Sequence, residues 1–158
     1  FSVLTLTGSS EVVLLIAVFI LLLIYIRKKQ IFFGIALIPV VYLIEILGKL
    51  FIYHPHPPVT WNRYVFAFHM PSSFFVKTNF SFPSGHMARS AFLTIIILYV
   101  IFGIQTSKRV KGISVIIALI YLVSMVISRV YLGEHWFSDV LGGMLLGSSV
   151  AGTALLLF

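Results

Sequence analysis

An all-α fold, specifically a polytopic membrane helix bundle, is what this sequence predicts, on three observations. Sixty per cent of the 158 residues are hydrophobic and only 9% are charged, against about a quarter charged in soluble domains. Mean hydropathy is +1.12. Five apolar runs approach the roughly 20 residues that a helix needs to cross a bilayer, and most of the charge falls between them. The runs consume nearly all the chain, so residues 1–158 are read as a single integral-membrane domain.

The first run, residues 12–26, reaches spanning length if its helix starts between Leu6 and Ser9, and Arg27-Lys28-Lys29-Gln30 stops it. Residues 1–10, with Thr5, Thr7, Gly8, Ser9 and Ser10, read as a loop entering that helix. No charged n-region with a cleavage site opens the chain, so no signal peptide is predicted. Residues 31–53 are the second run, ended by His54-Pro55-His56-Pro57-Pro58, whose rings forbid further helix. A long connection reaches to about Phe82. Residues 84–104 follow, closed by the polar connection from Gln105 to Lys111, then residues 112–132 and 136–158. In the last run Gly143 and Gly147, extended by Ser148 and Gly152, form a small-residue stripe suited to close packing inside the bundle.

The formal charge of +7 would point to nucleic acid in a soluble protein. Here the basic residues sit in connections and at span ends, where they set topology or meet anionic lipid, so no nucleic-acid partner is predicted. Six of the eleven Lys and Arg lie in the connections 27–30 and 105–111, which the positive-inside rule assigns to the cytoplasm. Alternation then brings the Pro-rich connection and the polar stretch 128–139 together at the outer membrane interface. A multi-pass protein of the plasma (inner) membrane, with its site on the extracytoplasmic face, is expected. Trp61, Tyr64, Phe66, Phe68, Phe74, Phe75 and Phe80 in the long connection read as an interfacial aromatic belt or as a lid that admits an acyl or prenyl chain. With no cysteine, the redox compartment is not indicated.

A charge inside or beside a bilayer costs roughly 2.5–3.5 kcal/mol on insertion scales unless paired or wet, so the polar residues of the outer face carry the functional signal. His135 and Asp139 stand four apart, on one face of a helix that begins near Gly133. A carboxylate that holds the imidazole Nδ1–H presents a basic, oriented Nε2, able to attack phosphorus or take a proton. Glu134 reads as a wet neighbour. Pro83-Ser84-Gly85-His86 opens an apolar helix with a tight turn, a cap hydroxyl at Ser84 and free N–H groups on Gly85 and His86, a natural anion site. His86 is placed to protonate a leaving group. Arg89, one turn on, either extends that cradle or snorkels. Glu45 and Lys49, also four apart, predict a structural ion pair for Glu45, while Lys49 can offset phosphate charge at the same mouth. Each motif alone has an ordinary explanation as an anchor, a cap or an ion pair; their convergence on one face points to phosphate.

Taken in order, the three motifs resemble those of the type 2 phosphatidic acid phosphatase family, the membrane relatives of vanadium haloperoxidases and glucose-6-phosphatase. That family's pattern is K-x6-R-P, then P-S-G-H, then S-R-x5-H-x3-D. This chain has Lys49-x6-His56-Pro57, Pro83-Ser84-Gly85-His86 and Ser128-Arg129-x5-His135-x3-Asp139, so the second and third match at every fixed position. The first departs from it: where members usually carry R-P-R-P stands His54-Pro55-His56-Pro57. An imidazole titrating at about 6.5 there replaces a permanent guanidinium. Either substrate affinity depends on pH, or Arg63, Lys77 or Arg89 replaces the charge. The family usually has six spans, which implies an N-terminal span before the five visible here, or one absent by nature.

The resemblance implies a lipid phosphatase, a phosphoric monoester or diphosphate hydrolase that works without metal or cofactor through a phosphohistidine. In that scheme His135 attacks, Asp139 orients it, and His86 serves as acid and then as base toward water. Lys49, Ser84, Gly85, Arg129 and His56 hold the phosphate. Phosphatidic acid, phosphatidylglycerol phosphate, prenyl diphosphates and lipid A phosphates all fit as substrates. Small size and short loops, bacterial or archaeal in style, favour undecaprenyl diphosphate or phosphatidylglycerol phosphate. Phosphotransfer to another lipid acceptor uses the same chemistry, and a non-enzymatic lipid-phosphate transporter would use the same basic pocket. Zinc held by His54, His56, His86 and His135 is disfavoured, because no His-x-x-x-His or comparable pair occurs.

Overall fold

In a computed structural model that describes residues 1–28, 33–63, 80–104 and 106–156, the apolar runs become α-helices, and no strand forms among the described residues. Helix α1 is Ser2–Leu6 and α2 is Ser10–Lys28. A 3-10 turn at Phe33–Leu37 leads into α3, Ile38–Phe51, whose Pro39 sits in the first turn, where a missing N–H costs nothing. Helices α4, α5 and α6 are Gly85–Gly103, Lys108–Tyr131 and Phe137–Leu156. Four stretches, Gly34–Phe51, Gly85–Gly103, Lys108–Tyr131 and Phe137–Leu156, are long and apolar enough to cross a membrane, and Ser10–Ile26 is a shorter apolar helix.

All five expected runs are therefore helical, with two boundaries moved by hydroxyl groups. The first helix does not run on from Leu6, because Thr7 Oγ1 donates to Leu4 O at 2.7 Å and Ser9 Oγ accepts from Val12 N at 3.4 Å. The two side chains end one helix and start the next around Gly8. Helix α5 begins at Lys108 rather than Gly112, since Ser107 Oγ caps it by accepting from Val110 N at 3.3 Å.

Helix α4 is the hub of the bundle. Ala88, Phe92, Leu93 and Ile96 are buried against Val13 and Ala17 of α2, Val41 of α3, and Val150, Ala151 and Ala154 of α6. On its other side Met87 and Ala91 meet Met125 of α5 and Val140 of α6. The α4–α6 approach depends on missing side chains: a Cβ on Gly143 would strike the Ser84 backbone, and one on Gly147 the Ala88 backbone. The expected extension of this stripe to Gly152 does not hold. A Cβ at Gly152 would meet nothing within 4 Å, and the fully buried Ala151 and Ala154 continue the contact instead. Helix α5 exposes Ile116, Ile117, Leu119, Ile120 and Val123, an apolar face that hydrocarbon rather than water must solvate. The chain is an integral membrane protein.

This packing gathers the end of α3, the start of α4, the end of α5 and the start of α6 at one end. Backbone bonds tie their loops together: Phe80 N to Lys49 O at 3.1 Å, Ser84 N to Asp139 O at 2.9 Å, and Arg63 N to Leu132 O at 3.1 Å. Trp61 is exposed and lies edge-on to Trp136, centroids 5.7 Å apart; Phe80 meets Tyr53 in the same way at 5.4 Å. Tyr64, Phe66, Phe68, Phe74, Phe75 and Lys77 lie outside the described residues, as do Lys29, Gln30 and Gln105.

Candidate active site

Between α5 and α6 the chain reverses at Gly133, whose φ of 73° is open to glycine and strained for other residues. A Cβ there would also run into the Trp61 backbone. The turn delivers His135 just ahead of α6 and Asp139 in its first turn. Asp139 is fully buried, and its Oδ2 accepts from His135 Nδ1 at 3.2 Å and from Trp136 N at 3.0 Å. An ionised carboxylate only accepts, so Nδ1 carries the ring proton and Nε2 keeps a free lone pair. Burial pulls the His135 pKa down to about 4, against the pull of the Asp139 hydrogen bond. At neutral pH the imidazole is therefore uncharged, which is its nucleophilic form.

Across from it, α4 opens at Gly85. The Ser84 hydroxyl, expected as a helix cap, makes no capping bond; it is buried without a hydrogen-bond partner among the described residues. Its backbone N–H donates to Asp139 O at 2.9 Å. Next to it, the N–H groups of Gly85 and His86 begin the helix and so lack intrahelical acceptors. Gly85 has no room for a side chain, because the Glu45 carboxylate fills the space a Cβ would take. The His86 ring lies within charge range of Arg129, Arg89, His135 and Lys49.

Each of the three cations near the site, Lys49, Arg89 and Arg129, pairs with an acid, although Arg89 Nη2 and Arg129 Nε have no hydrogen-bond partner among the described residues. Glu45 forms the expected pair with Lys49, Oε1 to Nζ 2.7 Å, and in addition holds Arg89, Oε2 to Nη1 2.5 Å. Arg89 is buried, donates from Nε to Gly8 O at 3.1 Å and lies 4.9 Å over the Tyr42 ring. It does not snorkel; it is an internal cation that anchors the turn at Gly8 and keeps its Nη2 without a hydrogen-bond partner among the described residues. Arg129 is also buried, bonded to Thr5 Oγ1 and paired with Glu134. Glu134 is thus a partly buried ion-pair partner and not merely a wet neighbour. His56 is exposed at the mouth, within charge range of Lys49 and Asp139. Partial burial of its ring, with Lys49 nearby, lowers its pKa against the opposite pull of Asp139, so it does not replace the permanent charge of an arginine. Arg63 stacks over Tyr131 at 5.1 Å.

Reading the sequence motif by motif misses His54. Its Nδ1 stands 2.9 Å from Asp139 Oδ1 and 3.0 Å from Ser81 Oγ, and its Nε2 is 3.2 Å from Ser138 Oγ. The signal available was its place in the His-Pro-His-Pro stretch, two residues before the motif position that drew attention. Among the described residues no group of three or more His, Cys, Asp or Glu side chains is arranged to hold a metal ion. Beside the cradle, Leu47, Phe51, Phe82, Pro83, Gly142 and Leu146 line an open apolar groove of about 350 Å³ between α3 and α6. A neutral imidazole held by a carboxylate, an unbonded hydroxyl, helix-end N–H groups and two cations around one point can receive a tetrahedral anion and attack it.

The chain is similar to known proteins on three counts. The family model of the PAP2 superfamily matches residues 30–158. Phosphatidylglycerophosphatase B of Bacillus subtilis (strain 168) is 42% identical over 72 residues, covering 45% of this chain and 36% of the relative. The match thus spans little more than a third of that protein's length. Among solved structures, the crystal structure described as the first transmembrane PAP2 type phosphatidylglycerolphosphate phosphatase from Bacillus subtilis superposes with a TM-score of 0.80. It is 26% identical, over 98% of this chain and 72% of that one. The family match extends over most of the chain, from the basic connection after α2 to its last residue, and so takes in every helix that contributes to the site: this chain belongs to the PAP2 superfamily.

Proposed function

We propose that the protein hydrolyses a lipid phosphate monoester or diphosphate without metal, through a phosphohistidine at His135. The observation that carries this is the buried His135–Asp139 bond of 3.2 Å facing the unbonded Ser84 hydroxyl at the start of α4. His135 Nε2 attacks phosphorus as the bond to the lipid oxygen breaks, and Asp139 balances the positive charge that grows on the ring. His86 gives the leaving oxygen its proton. It then takes one from water, whose oxygen displaces the imidazole and releases inorganic phosphate. Lys49, Arg129, Ser84 and the N–H of Gly85 hold the equatorial oxygens where charge accumulates, with His56 at the rim.

The apolar groove beside Pro83 and Leu47 accommodates the lipid tail while the headgroup enters the cradle. Phosphatidylglycerol phosphate is the favoured substrate, in line with the names of both relatives, and undecaprenyl diphosphate is the rival. The basic residues Lys108, Arg109 and Lys111 stand at the opposite end of α5 from Arg129, which supports an extracytoplasmic site by the positive-inside rule.

The test is phosphate release from both lipids in detergent with chelator present. Wild type should release phosphate, faster from phosphatidylglycerol phosphate, and His135→Ala should lose at least about a thousandfold in rate with its unfolding temperature kept. An active His135→Ala protein, or a wild type silent on every lipid phosphate, removes the assignment.

A further inference from the structure

Asp139 has two carboxylate oxygens, and the chemistry proposed above uses one. Oδ2 is filled by His135 and Trp136. Oδ1 is buried and has no aligned donor, a costly state for an ionised acid. His54 Nδ1 lies 2.9 Å from it, and the Ser81 hydroxyl is within reach of the same carboxylate.

Which nitrogen of His54 carries its proton follows from the neighbours. The Ser81 hydroxyl has one proton and three oxygen acceptors in reach, the carbonyls of His54 (3.0 Å) and Pro55 (3.3 Å) and the Asp139 carboxylate. Ser81 Oγ therefore accepts from His54 Nδ1, and Asp139 can only accept. Both neighbours of Nδ1 demand a donor, so the proton sits on Nδ1, and the Ser138 hydroxyl donates to Nε2 at 3.2 Å. The backbone fixes the ring's place: Ser81 N donates to His54 O at 2.9 Å, and Trp136 Nε1 to Pro55 O at 2.8 Å. A loop latched at both sides thus holds a donor against the open oxygen of the orienting acid.

We infer that His54 is a positioning residue for the phosphoryl transfer, steadying Asp139 through Oδ1 so that the row His54–Asp139–His135 holds the attacking ring in line. The inference rests on the phosphatase function proposed above. It makes no claim that His54 touches substrate, and that separates it from the cations of the cradle.

The experiment measures kcat and KM for phosphatidylglycerol phosphate in detergent for His54→Ala, His54→Asn and His54→Gln, each alone and combined with Asp139→Asn. His54→Ala should lower kcat by about tenfold to a hundredfold, the range found when an orienting partner is removed, with KM unchanged. His54→Asn should restore most of the rate, because its amide nitrogen can stand where Nδ1 stood, whereas His54→Gln, which reaches toward the Nε2 position, should not. In the Asp139→Asn background His54→Ala should cost nothing further. A raised KM at full kcat would make His54 a substrate contact and overturn the inference. So would an equal loss in the Asp139→Asn background, or His54→Asn and His54→Ala being equally slow. An active wild type with an unaffected His54→Ala sinks this inference alone, while a wild type that releases no phosphate sinks the phosphatase function with it.

Discussion

Where α4 and α6 meet, the candidate site is held by backbone and carboxylate bonds, Ser84 N on Asp139 O and His135 Nδ1 on Asp139 Oδ2, beside a buried Ser84 hydroxyl with no partner among the described residues. Where α3 and α5 end, each cation is already occupied, Lys49 and Arg89 by Glu45 and Arg129 by Glu134. The chain has four acidic residues, and three of them, Glu45, Glu134 and Asp139, stand in this site. The contrast has an electrostatic cause. A neutral imidazole tolerates burial, so the attacking side can be preorganised without a counter-charge. A guanidinium or ammonium does not, so each buried cation needs an internal acid until phosphate replaces it. In the proposed reaction one side carries out the chemistry and the other exchanges partners.

After the proposed nucleophile itself, the largest effect should come from the orienting acid. Asp139→Asn keeps the shape but lets the amide donate to His135, which favours the wrong tautomer. The corresponding change in a Ser-His-Asp triad costs about 10⁴ in kcat, and a loss of roughly 10²–10⁴ in phosphate release is expected here, with KM and the unfolding temperature little changed. A near-normal kcat in Asp139→Asn would break the claim that the attacking side depends on this one carboxylate.

On the cation side the expected loss is in stability. Glu45→Gln leaves Arg89, buried and held otherwise by Gly8 O and the Tyr42 ring, and Lys49 without an anion. Breaking a buried ion pair by removing one member costs about 3–5 kcal/mol, and a fall in the midpoint of thermal unfolding in detergent reads it. Glu45→Gln unfolding at the wild-type temperature would show that the cations do not need their acid, and the contrast between the halves would lose its basis.

Helix existence was legible because membrane spans advertise themselves by composition; only small local bonds escaped, such as the Thr7 and Ser9 hydroxyls that split the first run and the Ser107 cap that lengthened α5. His86, Arg129, His135 and Asp139 were legible because their spacing and the alternation of spans place them at one end. Partner choice was not. Glu45 satisfies the i,i+4 rule with Lys49, and nothing local reveals that Arg89, on another helix, shares it. Glu134 and His54 sit beside motif residues and look ordinary in one dimension; their roles follow from side chains 5 and 85 residues away, Arg129 and Asp139. The small-residue stripe on α6 was legible as a pattern, yet which small residues face α4 depended on a helix phase that Ala151 and Ala154 share with Gly143 and Gly147.

The smallest expected effect tests the exchange itself. If phosphate takes Arg129 from Glu134, then Glu134→Gln removes the competitor and leaves a buried guanidinium, still bonded to Thr5 Oγ1, whose charge only phosphate balances. Glu134 keeps 18% side-chain exposure in that pair, so the competition is on the scale of a partly solvated ion pair, 0.2–1 kcal/mol, or up to about fivefold in affinity. Inhibition by inorganic phosphate should tighten by about two- to fivefold in Glu134→Gln, with kcat within about twofold of wild type, since Glu134 bonds neither His135 nor His86. Weaker inhibition would mean that Glu134 supports Arg129 in the phosphate-bound state instead of yielding to it, and the cation side would then be as preorganised as the other.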